Sequence, residues 1–165
     1  MSEQTLAVRL LQAADNAPVA GLGGVQDRFL IDSSDTDGRF SAVQHVFGPK
    51  ALAAPMHRHH SEDEYTFVLT GRIGAVIEGV EVVAEQGDLL LKPRGQWHTF
   101  WNAGDEPALC LELISPGGLE GLFHRFAELS EPPSPQQLTE WAAEYHCDLD
   151  FEATFPLVER LGLVF

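Results

Sequence analysis

The residues most able to do chemistry lie between Pro55 and Gly71, in the stretch PMHRHHSEDEYTFVLTG. His57 and His59 are two apart. In a β-strand, whose side chains alternate between faces, they project the same way. Glu64 follows after a short turn-like segment and opens the next apolar run, Tyr65 to Leu69. Such a hairpin brings two imidazoles and a carboxylate to one point, a nitrogen and oxygen site for a first-row divalent metal.

A further ligand is expected from GDLLLKPRGQWHTFWN, Gly87 to Asn102. This reads as a strand, a Pro-x-Gly turn and a second strand that starts at His98. Alternation puts Phe100 on the face of His98, and Trp97, Thr99 and Trp101 on the other. The same parity puts Thr66 with Glu64. Glu112 stands out in the apolar segment ALCLELI and points either to a pocket, as an acid–base group, or to a subunit interface. His60 has the wrong parity for a ligand. Glu62 and Asp63 are expected to be solvated, His45 to be an ordinary strand residue, and His124 and His146 to be surface or packing residues.

The two stretches together resemble the cupin family. The first follows the pattern HxH-x(3,4)-E-x(6)-G through His57, His59, Glu64 and Gly71. The second follows G-x(5)-P-x-G-x(2)-H-x(3)-N through Gly87, Pro93, Gly95, His98 and Asn102. One departure exists: Gly48, the glycine ahead of the first motif, lies further from His57 than the pattern has it, which implies a longer strand or loop there. The resemblance implies a double-stranded β-helix, a small jelly roll with the metal inside. It implies His57, His59, Glu64 and His98 as ligands of one divalent metal, with Fe, Ni, Mn, Zn, Cu and Co all compatible. It points to single-domain cupins similar to quercetin dioxygenases, in which the ligand Glu, here Glu64, takes a substrate proton. The expected function is a metal-dependent dioxygenase acting on a small aromatic or enolisable substrate, with Thr66, Phe100 and Glu112 as candidate pocket residues. The alternatives are an oxygen-independent metal-dependent cyclase or isomerase of the polyketide-tailoring type, and a non-enzymatic small-molecule-binding cupin.

The rest of the chain must position these residues. Arg28 to Ile31, Arg39 to Phe47, Ile73 to Ile77, Val80 to Val83, Leu89 to Lys92 and Ala108 to Ile114 read as strands. Gly-, Asp- and Pro-rich turns such as SSDTDG and AGDEP separate them. Short strands at short intervals predict an antiparallel sandwich or barrel. Leu6 to Leu11 fits a strand or a helix. After SPGG at 115–118 the period changes: Leu119, Leu122, Phe123, Phe126 and Leu129 recur at helical spacing. Ser134, Pro135 and Gln137 then form a helix start with a capping box. Leu138, Trp141, Ala142 and Tyr145 supply its apolar stripe. These helices are expected to pack on the outside of the barrel. The reading is mainly β: one domain over 1–165, with a barrel core at about 25–115 and a C-terminal helical extension at about 116–165.

Composition excludes other functions. The 165-residue chain is 44% hydrophobic and carries a formal charge of −15. That charge disfavours nucleic acid, which needs Lys and Arg against its phosphates, and anionic membrane surfaces. No apolar run is long enough for a transmembrane helix. The N-terminal stretch lacks a basic start and a long apolar core, so a cytoplasmic protein is expected. Cys110 and Cys147 read as two buried thiols rather than a disulfide. A small-molecule substrate is the expected partner. Open sheet edges predict a homodimer.

Overall fold

The computed structural model describes residues 10–165. The expected element at Leu6–Leu11 lies mainly outside them; Leu10 and Leu11 are exposed and carry no regular structure. Among the described residues, eleven strands form two antiparallel sheets. The first six-stranded sheet orders β1 (Val19–Ala20), β2 (Val25–Ile31), β3 (Ser41–Phe47), β10 (Ala108–Ser115), β5 (Asp63–Thr70) and β8 (Leu89–Lys92). The second orders β11 (Cys147–Asp150), β4 (Met56–His59), β9 (His98–Asn102), β6 (Arg72–Ile77) and β7 (Val80–Glu85). From β3 onward the chain switches sheets at every step except the β6–β7 hairpin, as in a jelly roll.

Alternation along the strands builds the core. In β5, Glu64, Thr66 and Val68 face inward, and in β10 Ala108, Cys110, Glu112 and Ile114 do so. Val25, Phe47, Val68, Ile73, Ala75, Phe100 and Cys110 form the apolar centre between the sheets. Burying each of the larger side chains contributes about 1.5–3 kcal/mol. Gly74 lets Trp101 lie on the backbone of β6: a Cβ there would meet the indole at 2.4 Å. Gly71 turns β5 into β6 at φ 79°, a left-handed conformation that suits glycine. Both cysteines are free and buried.

The segment SSDTDG contains a short 3-10 helix, Ser33–Thr36, rather than a simple turn. The stretch after Gly48 is pinned from outside. Leu52 N–H donates to Val164 O and Val164 N–H to Lys50 O.

The C-terminal extension holds α1 (Glu120–Ala127), α2 (Pro135–Glu144), strand β11 and α3 (Phe151–Leu161). Ser134 and Gln137 make the expected reciprocal cap on α2. The expectation that the helices lie on the barrel's outside is corrected. Leu119, Leu122, Phe123, Phe126 and Leu138 line the same cavity as the inward-facing histidines, so α1 and α2 close the barrel's mouth. The reason is physical: the cavity is lined chiefly by apolar side chains, and the apolar stripes of the two helices are buried by covering it. Neither β11 nor α3 was expected. β11 is short and half polar, and its partner β4 lies far back in the chain.

Candidate metal centre

Two adjacent strands and one from the opposite sheet build the centre. His57 and His59 lie on β4, and His98 on β9 stands directly across from His57 in register. Glu64 reaches in from β5 of the other sheet. All four are buried, and one donor atom from each lies within 4.8 Å of the others. The ring centroids of His57 and His98 are 4.2 Å apart, and those of His57 and His59 are 4.8 Å apart. Glu64 Oε2 is 3.0 Å from His98 Nε2, and Glu64 Oε1 is 3.4 Å from His59 Nε2.

Several observations fit these residues to a metal. His57 Nδ1 donates to Pro55 O at 2.7 Å, and His98 Nδ1 donates to Gln96 O at 2.9 Å. Each bond fixes the tautomer that leaves Nε2 for a metal, the usual outer arrangement of metal-binding histidines. Both nitrogens of His59 are buried without a hydrogen-bond partner. Orphaned polar atoms of that kind are costly, and a metal satisfies one of them. Three imidazoles and a carboxylate suit a divalent first-row metal.

The electrostatics are those of crowded charges. Burial lowers the pKa of His57, and the neighbouring His98 and His59 push it further down, so it stays neutral and available as a ligand. Burial opposes charge on His59 too, but the Glu64 carboxylate outweighs it and pushes the pKa up to about 10. Burial favours the neutral acid at Glu64, yet Lys92 and His59 prevail and hold it well below the carboxylate range.

Lys92 was not singled out in the sequence. It is wholly buried, with Nζ 3.0 Å from Glu64 Oε2 and 2.9 Å from Glu112 Oε1, and 3.6 Å from the Phe100 ring centroid. No sequence signal marks it; only its place opposite Glu64 in the β5–β8 ladder reveals the contact. Glu112 is therefore at neither a pocket wall nor an interface: it is a core counter-charge to Lys92, and Thr66 Oγ1 donates to it at 2.9 Å. Thr66 and Glu112 do not border the cavity; Phe100 does.

The cavity has a volume of about 70 Å³ and is lined chiefly by apolar side chains. His57, His59 and Glu64 border it, and so do Asp27 and His45. His45 is thus more than an ordinary strand residue. Its Nδ1 donates to Asp27 Oδ1 at 2.7 Å. The signal for it was its parity with Val43 and Phe47 on the inward face of β3.

The other expectations divide. His60 points outward to Asp148, with Nε2 2.8 Å from its carboxylate. Asp63 pairs with Arg94. Glu62 is buried rather than solvated, at 9% exposure, because the turn from β4 to β5 folds it inward. His124 packs on Phe29 with ring centroids 3.6 Å apart, and His146 is an exposed turn residue.

The two-sheet barrel, with its buried three-histidine, one-glutamate cluster, has the cupin fold. Residues 43–114, a little under half of the chain, match the cupin domain family model. It is 27% identical over 114 residues to the tetracenomycin polyketide synthase protein TcmJ of Streptomyces glaucescens, a match covering 69% of this chain and 76% of that protein. It is 31% identical over 108 residues to a gentisate 1,2-dioxygenase of Haloferax sp., covering 61% of this chain but only 30% of that longer protein. Among solved structures, KdgF from Halomonas sp. superposes with a TM-score of 0.61 at 21% identity, covering 70% of this chain and 100% of KdgF. That likeness concerns the fold.

Proposed function

We propose that this protein is a metal-dependent dioxygenase acting on a small aromatic or enolisable organic substrate. The observation that carries this reading is the continuity of the metal-capable cluster with an apolar, aromatic-walled cavity. His57, His59, Glu64 and His98 would hold the metal, which would supply Lewis-acid polarisation of an acidic hydroxyl and a place for a second ligand such as dioxygen. Phe100 and Phe123 offer faces to a flat ring. The side chains of α1 and α2 over the mouth exclude water, which strengthens every charge interaction inside. Glu64 enters as a ligand; the charge of Lys92 keeps it ionised and weakens it as a base. The resemblance to a gentisate dioxygenase supports an aromatic substrate and oxygen as co-substrate.

A second reading has its own support. The His45–Asp27 pair is equipped for proton transfer without oxygen, and the longer match is to a polyketide synthase protein. An oxygen-independent cyclase or isomerase would use the same cavity. The test is metal analysis of protein purified without an affinity tag, followed by a screen of dihydroxybenzoates, flavonols and 1,3-diketones in air and under argon. Substrate loss coupled to oxygen uptake supports the dioxygenase. Equal turnover under argon supports the cyclase, and no turnover with metal loaded removes both.

A further inference from the structure

Asp27 and His45 sit on neighbouring strands, paired in register across β2 and β3. Both are buried, at 3% and 6% exposure, and both border the cavity that His57, His59 and Glu64 also border. Asp27 takes the Nδ1 proton of His45, so the imidazole is held in one tautomer with Nε2 as its free end. Among the described residues Nε2 has no hydrogen-bond partner. The chain packs closely on the carboxylate: a Cβ at Gly21 would come within 2.7 Å of Asp27 Oδ2. The ring is set by aromatic walls, with Phe123 at 5.7 Å, Phe47 at 6.1 Å and Phe100 at 6.3 Å between centroids.

A buried ionisable pair in such a wall gives weak stabilisation compared with apolar side chains of similar volume. Its features are those of an oriented base: a nucleophilic nitrogen, a third group holding the other nitrogen, and a cavity in front.

We propose that His45 is a catalytic acid–base residue that exchanges a proton with the substrate, with Asp27 as its positioning residue. In the forward step the substrate O–H or activated C–H bond breaks, its proton forms an N–H bond at His45 Nε2, and the electron pair stays on the substrate as enolate. Asp27 stabilises the resulting imidazolium. The proton returns to product in the reverse sense. The substrate is therefore a compound with an acidic hydroxyl or enolisable position. This rests on the proposed reading of the cavity as a substrate site.

The charged surroundings of His45 are mixed. Asp27 on β2 and Glu112 on β10 favour its protonated form, and Lys92 on β8 opposes it; Cys110 on β10 is a neutral thiol, and Phe100 on β9 and Phe123 on α1 lie beside the ring. Burial lowers the pKa, but the Asp27 hydrogen bond and charge outweigh it, and the net direction is up. A pair that can hold the proton between steps follows.

The test uses 4-nitrocatechol, a single-ring probe whose ionisation is read by absorbance, bound to metal-free wild type, His45→Gln and Asp27→Asn. Metal loading of each variant, expected to match wild type, reports that the barrel is folded. In wild type the bound probe should ionise at a pH about one unit or more below its midpoint in H45Q, and D27N should fall between them. Equal midpoints in wild type and H45Q overturn the dyad while leaving the substrate class intact. No binding to wild type overturns the substrate class and the dyad with it. If H45Q loads no metal, D27N decides: a midpoint unchanged from wild type overturns the proposal.

Discussion

Lys92 Nζ stands 3.0 Å from Glu64 Oε2, with both side chains almost fully buried. The same ammonium is 2.9 Å from Glu112 Oε1, so one buried cation balances two buried carboxylates. A divalent metal beside Glu64 would supply the charge this trio lacks. Removing Lys92 leaves Glu112 without its counter-charge and Glu64 with only the neighbouring imidazoles of His59 and His98. Lys92→Met should therefore destabilise the metal-free protein by about 3–5 kcal/mol. Metal should restore part of the loss, because it stabilises whichever state it binds. Thermal melting with and without added metal checks this, and the double variant K92M/E112Q should recover part of the loss without metal.

Metal content should separate the histidines. His59→Ala should lose most of its metal, whereas His60→Ala should load like wild type, since His60 faces Asp148 on the outside. Glu64→Gln keeps an oxygen donor but not its charge, and its affinity should fall by at least about tenfold. Elemental analysis after dialysis against a weak chelator gives the ranking. Equal loss in H59A and H60A would remove the assignment.

Glu120 ties the covering helix to the barrel. Its Oε1 accepts from Ser33 N–H and its Oε2 from Gly118 N–H, both at 2.7 Å. Burial raises its pKa, but these hydrogen bonds prevail and bring it below the ordinary 4.5. A depressed carboxylate contributes stability that is full above the unfolded value and lost as pH falls through the folded one. Glu120→Gln should cost about 1–3 kcal/mol at pH 7. The gap between the wild-type and E120Q melting temperatures should narrow at pH 3.

Assembly is expected to use the outer face of the larger sheet. Phe67 and Leu89 are register partners there, with Leu91 and Leu113 beside them, and all four are exposed. An apolar cluster of this kind suits a closed two-fold contact with a second copy. Light scattering at micromolar concentration should give twice the 18.1 kDa chain mass. Leu89→Glu should return it to one; a wild-type monomer would refute the contact.

How much of this was legible depended on how local each cause was. His57, His59 and Glu64 could be placed because strand alternation is fixed within a few residues. His98 was legible through its own turn and strand. Lys92 was not, because nothing in LLLK says that its end lies between two glutamates; only the β5–β8 register does. Parity marked His45 as sharing a face with Val43 and Phe47, but its partner Asp27 was hidden, since only the β2–β3 register brings the two together. The helices of the extension were visible as periodicity. Their position over the mouth was not, because period identifies an apolar face and not what it covers.

The pairing of β11 with β4 bears on how the protein matures. The strand that carries both HxH histidines touches β9 through the single pair His57–His98, whereas β11 runs along its whole length. Arg58 closes that ladder with Asp148, a contact across 90 positions. During synthesis the strand that carries the two histidines thus waits for a segment 90 positions further on before it has its full-length neighbour. Contacts of such long sequence separation form late. Metal capture would then have to follow the docking of Cys147–Asp150, and a chain cut short before Cys147 would carry all four candidate ligands in its sequence with no assembled place to hold them.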